Sequence, residues 1–245
     1  MTGTDLAGRV ALLTGASGGI GGALGRCLIA AGVRTAFAYG TRAHEAELLV
    51  SEAGRAGLDA IALSGDLADP EVPARLVAAT VEALGPVDLL IPNAGYAVRQ
   101  AYTDVDLETW DRTMAVNLRA PFLLAQQVVP AMVERGFGRV LFISSIAAFT
   151  GGVVGPHYAA SKAGLHGTLH FLAARVASRG VTVNALAPAL IEDTAMLPAL
   201  GEGPHAIPVG RFGRPEEVAD LAMAVLRNGY LTNQVVSLDG GIHPR

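Results

Sequence analysis

Tyr158 and Lys162 stand four residues apart in the run Tyr158-Ala159-Ala160-Ser161-Lys162, a spacing that puts both side chains on one face of a helix. A free phenol titrates near pH ~10, too high for easy proton exchange at neutral pH. A neighbouring ammonium favours the ionised form and brings that value down, which would make the pair a general acid or base toward an oxygen atom. Such spacings recur on many helix surfaces, so the pair gains meaning from what precedes it. Ser144 and Ser145 end an apolar run, Ser145 thirteen residues ahead of Tyr158. A hydroxyl there can hydrogen-bond a carbonyl oxygen and polarise it.

A second constellation lies near the N-terminus, in Thr14-Gly15-Ala16-Ser17-Gly18-Gly19-Ile20-Gly21-Gly22. Gly15 can make a tight turn, Gly19 can admit a diphosphate against bare backbone, and Gly21 can let a helix approach the sheet. The helix start that follows would face an anion with unpaired N–H groups and a partial positive charge. A glycine-rich turn can also be a mere connection. This one directly follows the first apolar run and opens a helix, which is the context a phosphate site requires.

These groups need a frame to position them, and the apolar pattern supplies one. Val10–Leu13, Thr35–Tyr39, Ala60–Leu63, Leu89–Ile91, Val140–Ile143, Thr182–Leu186 and Val235–Leu238 read as strands. Helical stretches fall at Ile20–Ala31, Glu45–Ala56, Val72–Leu84, Leu107–Arg135, Ala159–Arg179 and Glu216–Arg227. Short strands without polar alternation require a parallel sheet covered on both faces, and right-handed crossovers then put helices on both sides. The expected class is α/β: a single Rossmann domain over residues 1–245, doubly wound, including the substrate site. No repeat, low-complexity segment or linker divides the chain.

Apolar residues make up 51% of the chain and charged residues 16%, which is ample for a large core. A net charge of −4 offers no electrostatic reason to expect a nucleic acid or an anionic membrane as partner. Cys27 is the only cysteine, so neither an internal disulfide nor a thiolate metal cluster is expected, and no metal site is read from the sequence. Met1 to Val10 does not read as a secretory leader, and no run of about 18 apolar residues occurs. A cytoplasmic protein is expected.

The spacing of Gly15, Gly19 and Gly21 follows T-G-x-x-x-G-x-G, and with it the chain resembles the short-chain dehydrogenase/reductase family. The resemblance runs from Val10 to Gly241, with the landmarks in the family's order. It implies hydride transfer between a nicotinamide and a carbonyl or alcohol carbon. Tyr158 would exchange the proton with the oxygen, Ser145 would steady that oxygen, and Lys162 would also hold the nicotinamide ribose. Asn117 would hold a water for proton relay through Lys162. The family spacing alone chooses Ser145 over Ser144. For the cofactor the resemblance implies Gly15, Ser17, Gly18, Gly19, Ile20 and Gly21 at the diphosphate, and Asp66 and Leu67 at the adenine. Asn93, Ala94 and Gly95 would lie on the ribose side, with Pro188, Ala189, Ile191 and Thr194 at the nicotinamide, Thr194 one residue off the commonest register. As a turn former, Asp66 has an equally simple reading.

Two positions depart from the family. Pro92 replaces the first Asn of N-N-A-G and cannot donate a backbone N–H. Ala189 replaces the Gly of Pro-Gly, which puts in doubt any geometry there that needs a positive φ. The second strand ends in Tyr39-Gly40-Thr41-Arg42, without the acidic residue that would bind a ribose 2′-hydroxyl. Tyr39, Thr41 and Arg42 take that place, and Arg42 can bind a 2′-phosphate, so NADPH/NADP is expected, with NAD left open. The tone of Tyr158 to Pro188 is most similar to 3-oxoacyl-carrier-protein reductases. The substrate expected is a small carbonyl compound, free or carried on a protein docked at Arg179 and Arg135. A homotetramer or homodimer is implied. An NAD-dependent alcohol or sugar-alcohol dehydrogenase, or a cofactor-sensing protein without turnover, are the alternatives. Between Met196 and Ile207 only Leu197 to Ala206 remain, with Pro198, Gly201, Gly203 and Pro204 among them. A short lid and an open site for a bulky carbonyl compound are expected.

Overall fold

The apolar runs that the sequence leaves without a polar side are the strands of one sheet, its central strands buried on both faces and its two edge strands partly so. In the computed structural model, which describes residues 3–194 and 207–243, they are β1 (Val10–Thr14), β2 (Arg34–Tyr39), β3 (Ala60–Ser64), β4 (Leu89–Pro92), β5 (Gly138–Ile143), β6 (Val181–Pro188) and β7 (Val235–Leu238). Among the described residues the sheet has seven strands, all pairings parallel, in the order β3-β2-β1-β4-β5-β6-β7. The helices are α1 (Gly19–Ala30), α2 (Ala43–Arg55), α3 (Val72–Leu84), α4 (Leu107–Met114), α5 (Ala120–Arg135), α6 (Ala147–Thr150), α7 (Pro156–Val176) and α8 (Pro215–Arg227). This is the doubly wound α/β class. The lid expected at residues 197–206 lies outside the described residues.

Alternation along each strand feeds two cores. Val10 and Leu12 face a cluster with Leu76 of α3, Leu124 of α5 and Leu165 of α7. Ala11 and Leu13 face the opposite one, with Leu24 of α1, Leu49 of α2 and Val218 of α8. The strand order reverses direction at the β1–β4 pair, where Thr14 is the register partner of Pro92. A crevice outside the carboxyl ends of the strands forms at such a switch point.

The helix expected over Leu107–Arg135 is interrupted. A π-helical turn over Ala115–Arg119 separates α4 from α5, with the Ala120 N–H bonded to the Ala115 carbonyl. Pro121 explains the break: it has no N–H to give the carbonyl four residues back, that of Asn117. The α7 helix starts three residues earlier than expected, with Pro156 in its first turn, where the missing N–H costs nothing. Tyr158 is thereby held inside the helix rather than before it. The last residues of the expected span, Ala177–Arg179, form a 3-10 turn. Among the described residues no helix is long and apolar enough to cross a membrane.

The approach of α1 to the turn before it depends on Gly21. A Cβ built there would lie 2.0 Å from the Gly15 carbonyl oxygen, a contact that backbone cannot yield cheaply. Gly21→Ala is expected to destabilise the fold by about 1–3 kcal/mol, as overpacking does, measured as a lower midpoint in denaturant at unchanged slope.

Candidate active site

At the carboxyl ends of the central strands the chain leaves β5 with Ser144 and Ser145, and α7 brings Tyr158 and Lys162 back against them. These side chains border a cleft of about 300 Å³, together with Ile20, Asn93, Gly95, Pro188, Ala189, Ile191 and Thr194. The two serines, left open by local sequence, separate clearly. Ser145 Oγ accepts the Ala147 N–H at 3.2 Å and is hydrogen-bonded to the Tyr158 side chain. Ser144 Oγ donates to the Lys162 carbonyl at 3.2 Å and lies 2.8 Å from His166 Nε2, so Ser144 is spent on packing α7 against the strand.

Tyr158 is 4% exposed and Lys162 3%. Burial pushes the Tyr158 phenol up to about 12, with the Ser145 hydrogen bond pulling the other way. Burial pushes the Lys162 ammonium down to about 8. The sequence expectation was a phenol lowered by its neighbouring cation, and this geometry corrects it. Lys162 Nζ donates to the Ile143 carbonyl at 2.8 Å and sits 5.8 Å from the centre of the Tyr158 ring, so desolvation outweighs the cation. A phenol that keeps its proton at neutral pH is poised as an acid.

Asn117 does not border the cleft. It is fully buried; its Oδ1 accepts the Tyr96 N–H at 2.7 Å, and its Nδ2 donates to the Tyr96 carbonyl at 2.9 Å and to Ser161 Oγ at 3.1 Å. Ser161 Oγ in turn donates to the Tyr158 carbonyl at 2.7 Å. The Asn117 amide therefore ties the segment after β4 to the helix of Tyr158 and Lys162.

The glycine turn is closed by a latch that sequence reasoning missed. Thr14 Oγ1 accepts the N–H groups of Asn93 (3.2 Å) and Ala94 (3.1 Å), while Asn93 Nδ2 donates to the carbonyls of Thr14 (3.0 Å) and Gly15 (3.1 Å). The Thr that precedes the glycines was the available signal. Pro92 ends β4 beside this latch, and the strand end is held without the N–H it lacks. Gly15 has φ +67°, and a Cβ there would lie 2.7 Å from Ala94 Cα. Gly18 precedes α1 with no side-chain cap, and no acidic residue occupies the first turn, so its amide groups are open to an anion. Ser17 is half-buried on the turn. A Cβ on Gly19 would meet the Asp193 carbonyl oxygen at 2.4 Å, which brings the stretch after β6 over the turn. Ala189 is not among the positive-φ residues; Asp193, at φ 55°, is. The methyl of Ala189 therefore strains nothing. Thr194 Oγ1 donates to the Ile191 carbonyl at 2.8 Å.

Further along the crevice, Tyr39 ends β2 half-buried, and Thr41 and Arg42 are exposed. An Arg42 Nη2 lies 3.9 Å from where a Gly18 Cβ would be, so the guanidinium stands at the mouth of the turn. Asp66 is a turn former: it accepts the Ala68 N–H at 3.0 Å and pairs with Arg112 at 3.0 Å. The Ala68 N–H, and after it the Arg112 guanidinium, hold its carboxyl below the usual range. The Leu67 side chain is in the core, which leaves its backbone for any ligand.

The buried ammonium has a stability consequence. An unfolded Lys162 keeps its proton to about 10.5, the folded one only to about 8, so the unfolded state binds more protons between those values and stability rises with pH across them. Below about pH 8 the penalty is complete. Lys162→Met is expected to be more stable than the parent at pH 7, by up to about 3 kcal/mol. The gap should narrow toward pH 10.5, as read by thermal unfolding at a series of pH values.

Comparison with known proteins bears on the same arrangement. The family model described as short chain dehydrogenase matches residues 9–204. A 3-oxoacyl-[acyl-carrier-protein] reductase from Synechocystis sp. is 35% identical over 98% of each chain. An acetoacetyl-CoA reductase from Cupriavidus necator is 34% identical over 96% of this chain and 98% of its own. A blue fluorescent protein from a metagenomic library, crystallised in complex with NADPH, superposes with a TM-score of 0.92 at 35% identity, over 98% of this chain and all of the other. The chain belongs to the short-chain dehydrogenase family, and is an oxidoreductase of that family acting between CH–OH and C=O groups.

Proposed function

We propose that this protein is an NADPH-dependent ketoreductase that works in the reducing direction, with Tyr158 as the proton donor. The observation that carries the reading is the buried Tyr158 hydroxyl, hydrogen-bonded to Ser145 in the cleft that Lys162 also borders; burial pushes the phenol up to about 12, so it carries a proton to give. A carbonyl oxygen seated between the two hydroxyls would be polarised by Ser145 and would take its proton from Tyr158. Lys162, whose ammonium titrates at about 8, is the next group in line to restore that proton. Asn117 holds the helix of both residues in register through Ser161 and Tyr96.

The cradle fits a nicotinamide dinucleotide. Side chains at Gly15 and Gly21 would fill the turn, and the first amide groups of α1 have no cap. Ile20, Asn93, Gly95, Pro188, Ala189, Ile191 and Thr194 border the same cleft as Tyr158. A Cβ on Gly95 would lie 3.8 Å from Lys162 Nζ, so bare backbone there leaves the ammonium reachable by a ribose. When bound, the cofactor supplies the hydride. The Asp193 carbonyl that overlies Gly19 must give way to a diphosphate, whose charge it would repel. NADPH is favoured over NADH because β2 ends without a carboxylate and Arg42 stands beside Gly18, whose missing side chain leaves the guanidinium room.

A 3-oxoacyl thioester is the substrate that the reductase relatives suggest. Carrier docking at Arg179 and Arg135 gains less support. Arg135 is tied to the Val87 carbonyl (2.7 Å) and to Asp88 (3.4 Å). Arg179 ends the α7 segment 21 residues beyond Tyr158, about 30 Å along the helix.

Tyr158→Phe is expected to lower kcat by roughly 10²–10⁴-fold while NADPH affinity stays within a few-fold; retention of half the parental rate on a good ketone would exclude Tyr158 as the donor. Arg42→Ala is expected to weaken NADPH tenfold or more, as loss of a charge-assisted phosphate contact should, and to leave NADH unchanged. Calorimetric titration of both cofactors reads the difference, and equal losses for the two would remove the phosphate assignment.

A further inference from the structure

We infer that the substrate half of this cleft is built for ketones with apolar substituents, and that Ile242, from the C-terminal turn, limits their size. The inference rests on the ketoreductase reading of the site and narrows it. Beyond Ser145 and Tyr158 the wall consists of Ile146, Ala147, Val153, Val154, Ile207 and Ile242. Among the described residues Lys162 is the one charged side chain that borders the cleft, and its ammonium is directed to the Ile143 carbonyl. Three further hydroxyls border it, and all three of their protons are committed. Thr194 Oγ1 donates to the Ile191 carbonyl at 2.8 Å. Thr150 Oγ1 donates to the Ile146 carbonyl at 3.2 Å and accepts the Gly152 N–H at 3.2 Å. Ser144 Oγ donates to the Lys162 carbonyl.

Among the described residues, a substrate hydroxyl or carboxylate on this side would lose its water and meet no uncommitted side-chain donor in exchange, whereas each methylene gains by leaving water. One such unpaired group should cost roughly tenfold or more in kcat/KM. The arrangement thus opposes polyhydroxylated substrates.

Ile242 is held as part of the wall rather than as a loose end. The Asp239 carboxylate accepts the N–H groups of Gly241 (3.0 Å) and His243 (3.1 Å), and the Asp239 carbonyl accepts that of Ile242 at 3.3 Å. Val209 N–H donates to the Gly240 carbonyl at 3.1 Å, joining the turn to the segment of Ile207. The His243 ring lies 6.0 Å from that of Phe149 and nearly parallel to it, and Phe149 packs at 4.8 Å on His166 of α7. Through this stack the C-terminal turn is seated against α6, which supplies the facing wall. Ile242 is a specificity-determining residue placed from the far end of the chain.

The test compares 2-hexanone, 6-hydroxyhexan-2-one and 5-oxohexanoate as substrates with NADPH. 2-Hexanone is expected to exceed both others in kcat/KM by about tenfold or more. Ile242→Ala should move the chain-length optimum among 2-alkanones upward and Ile242→Phe downward, with NADPH affinity unchanged in both. Equal kcat/KM for the three ketones, or an optimum that neither variant moves, overturns the inference. If no ketone is reduced, the ketoreductase reading fails, and binding decides the inference by itself. Hexanamide, an unreactive carbonyl analogue, should then bind about tenfold more tightly than 6-hydroxyhexanamide by calorimetry in the presence of NADP, and equal binding overturns it.

Discussion

Everything in the site is referred to the latch between the ends of β1 and β4. These strands are neighbours in the sheet but far apart in the chain, and the winding direction changes between them. Thr14 and Asn93 exchange side-chain and backbone hydrogen bonds across that boundary. The glycine turn, which departs from β1, is thereby fixed relative to the segment Asn93–Gly95, which departs from β4. From there Asn117 bonds both polar groups of the Tyr96 backbone and reaches Ser161 on α7. The candidate phosphate turn and the candidate proton donor are thus joined by two sets of hydrogen bonds between buried or half-buried groups, linked by the backbone of residues 94–96. Bonds of that kind are costly to break.

The second constraint is the cost of keeping two titratable groups out of water. Tyr158 and Lys162 have their proton affinities moved in opposite directions by the same burial, to about 12 and about 8. Neither shift benefits the fold. A buried phenol with one hydroxyl partner and a buried ammonium with one carbonyl partner are stabilised mainly by the packing that encloses them, and such sites are where stability is given up for chemistry. The hydrophobic cores on either side of the sheet are large enough to carry that cost.

The stretch after β6 introduces a third theme. Asp193 adopts a left-handed conformation and its carbonyl covers Gly19, the position where a diphosphate would need bare backbone. Ile191 and Thr194 border the cleft, and Asp193 between them overlies the turn. A single short segment therefore touches both the cleft of Tyr158 and the glycine turn.

The class of fold was legible in the sequence because it follows from local pattern: apolar runs of three to five residues without a polar side, alternating with helical stretches, fit the strands of a sheet covered twice. The strand expectations agree with the structure to within two residues at each end, and the glycine spacing announced the turn. The helix over Leu107–Arg135 was drawn as one piece because apolar period is insensitive to a missing N–H, and the effect of Pro121 appears only when the ladder is drawn. Local pattern does not say which of two adjacent serines meets Tyr158, and the choice of Ser145 comes from the family spacing; physically it is the packing of α7 that says which way is inward, since adjacent residues at a strand end face opposite ways. Nor could sequence weigh the cation beside Tyr158 against burial. Spacing places Lys162 near the phenol, but the charge of a side chain acts through its surroundings, and those are assembled from β5, α7 and the segment after β4, which meet only in the tertiary structure.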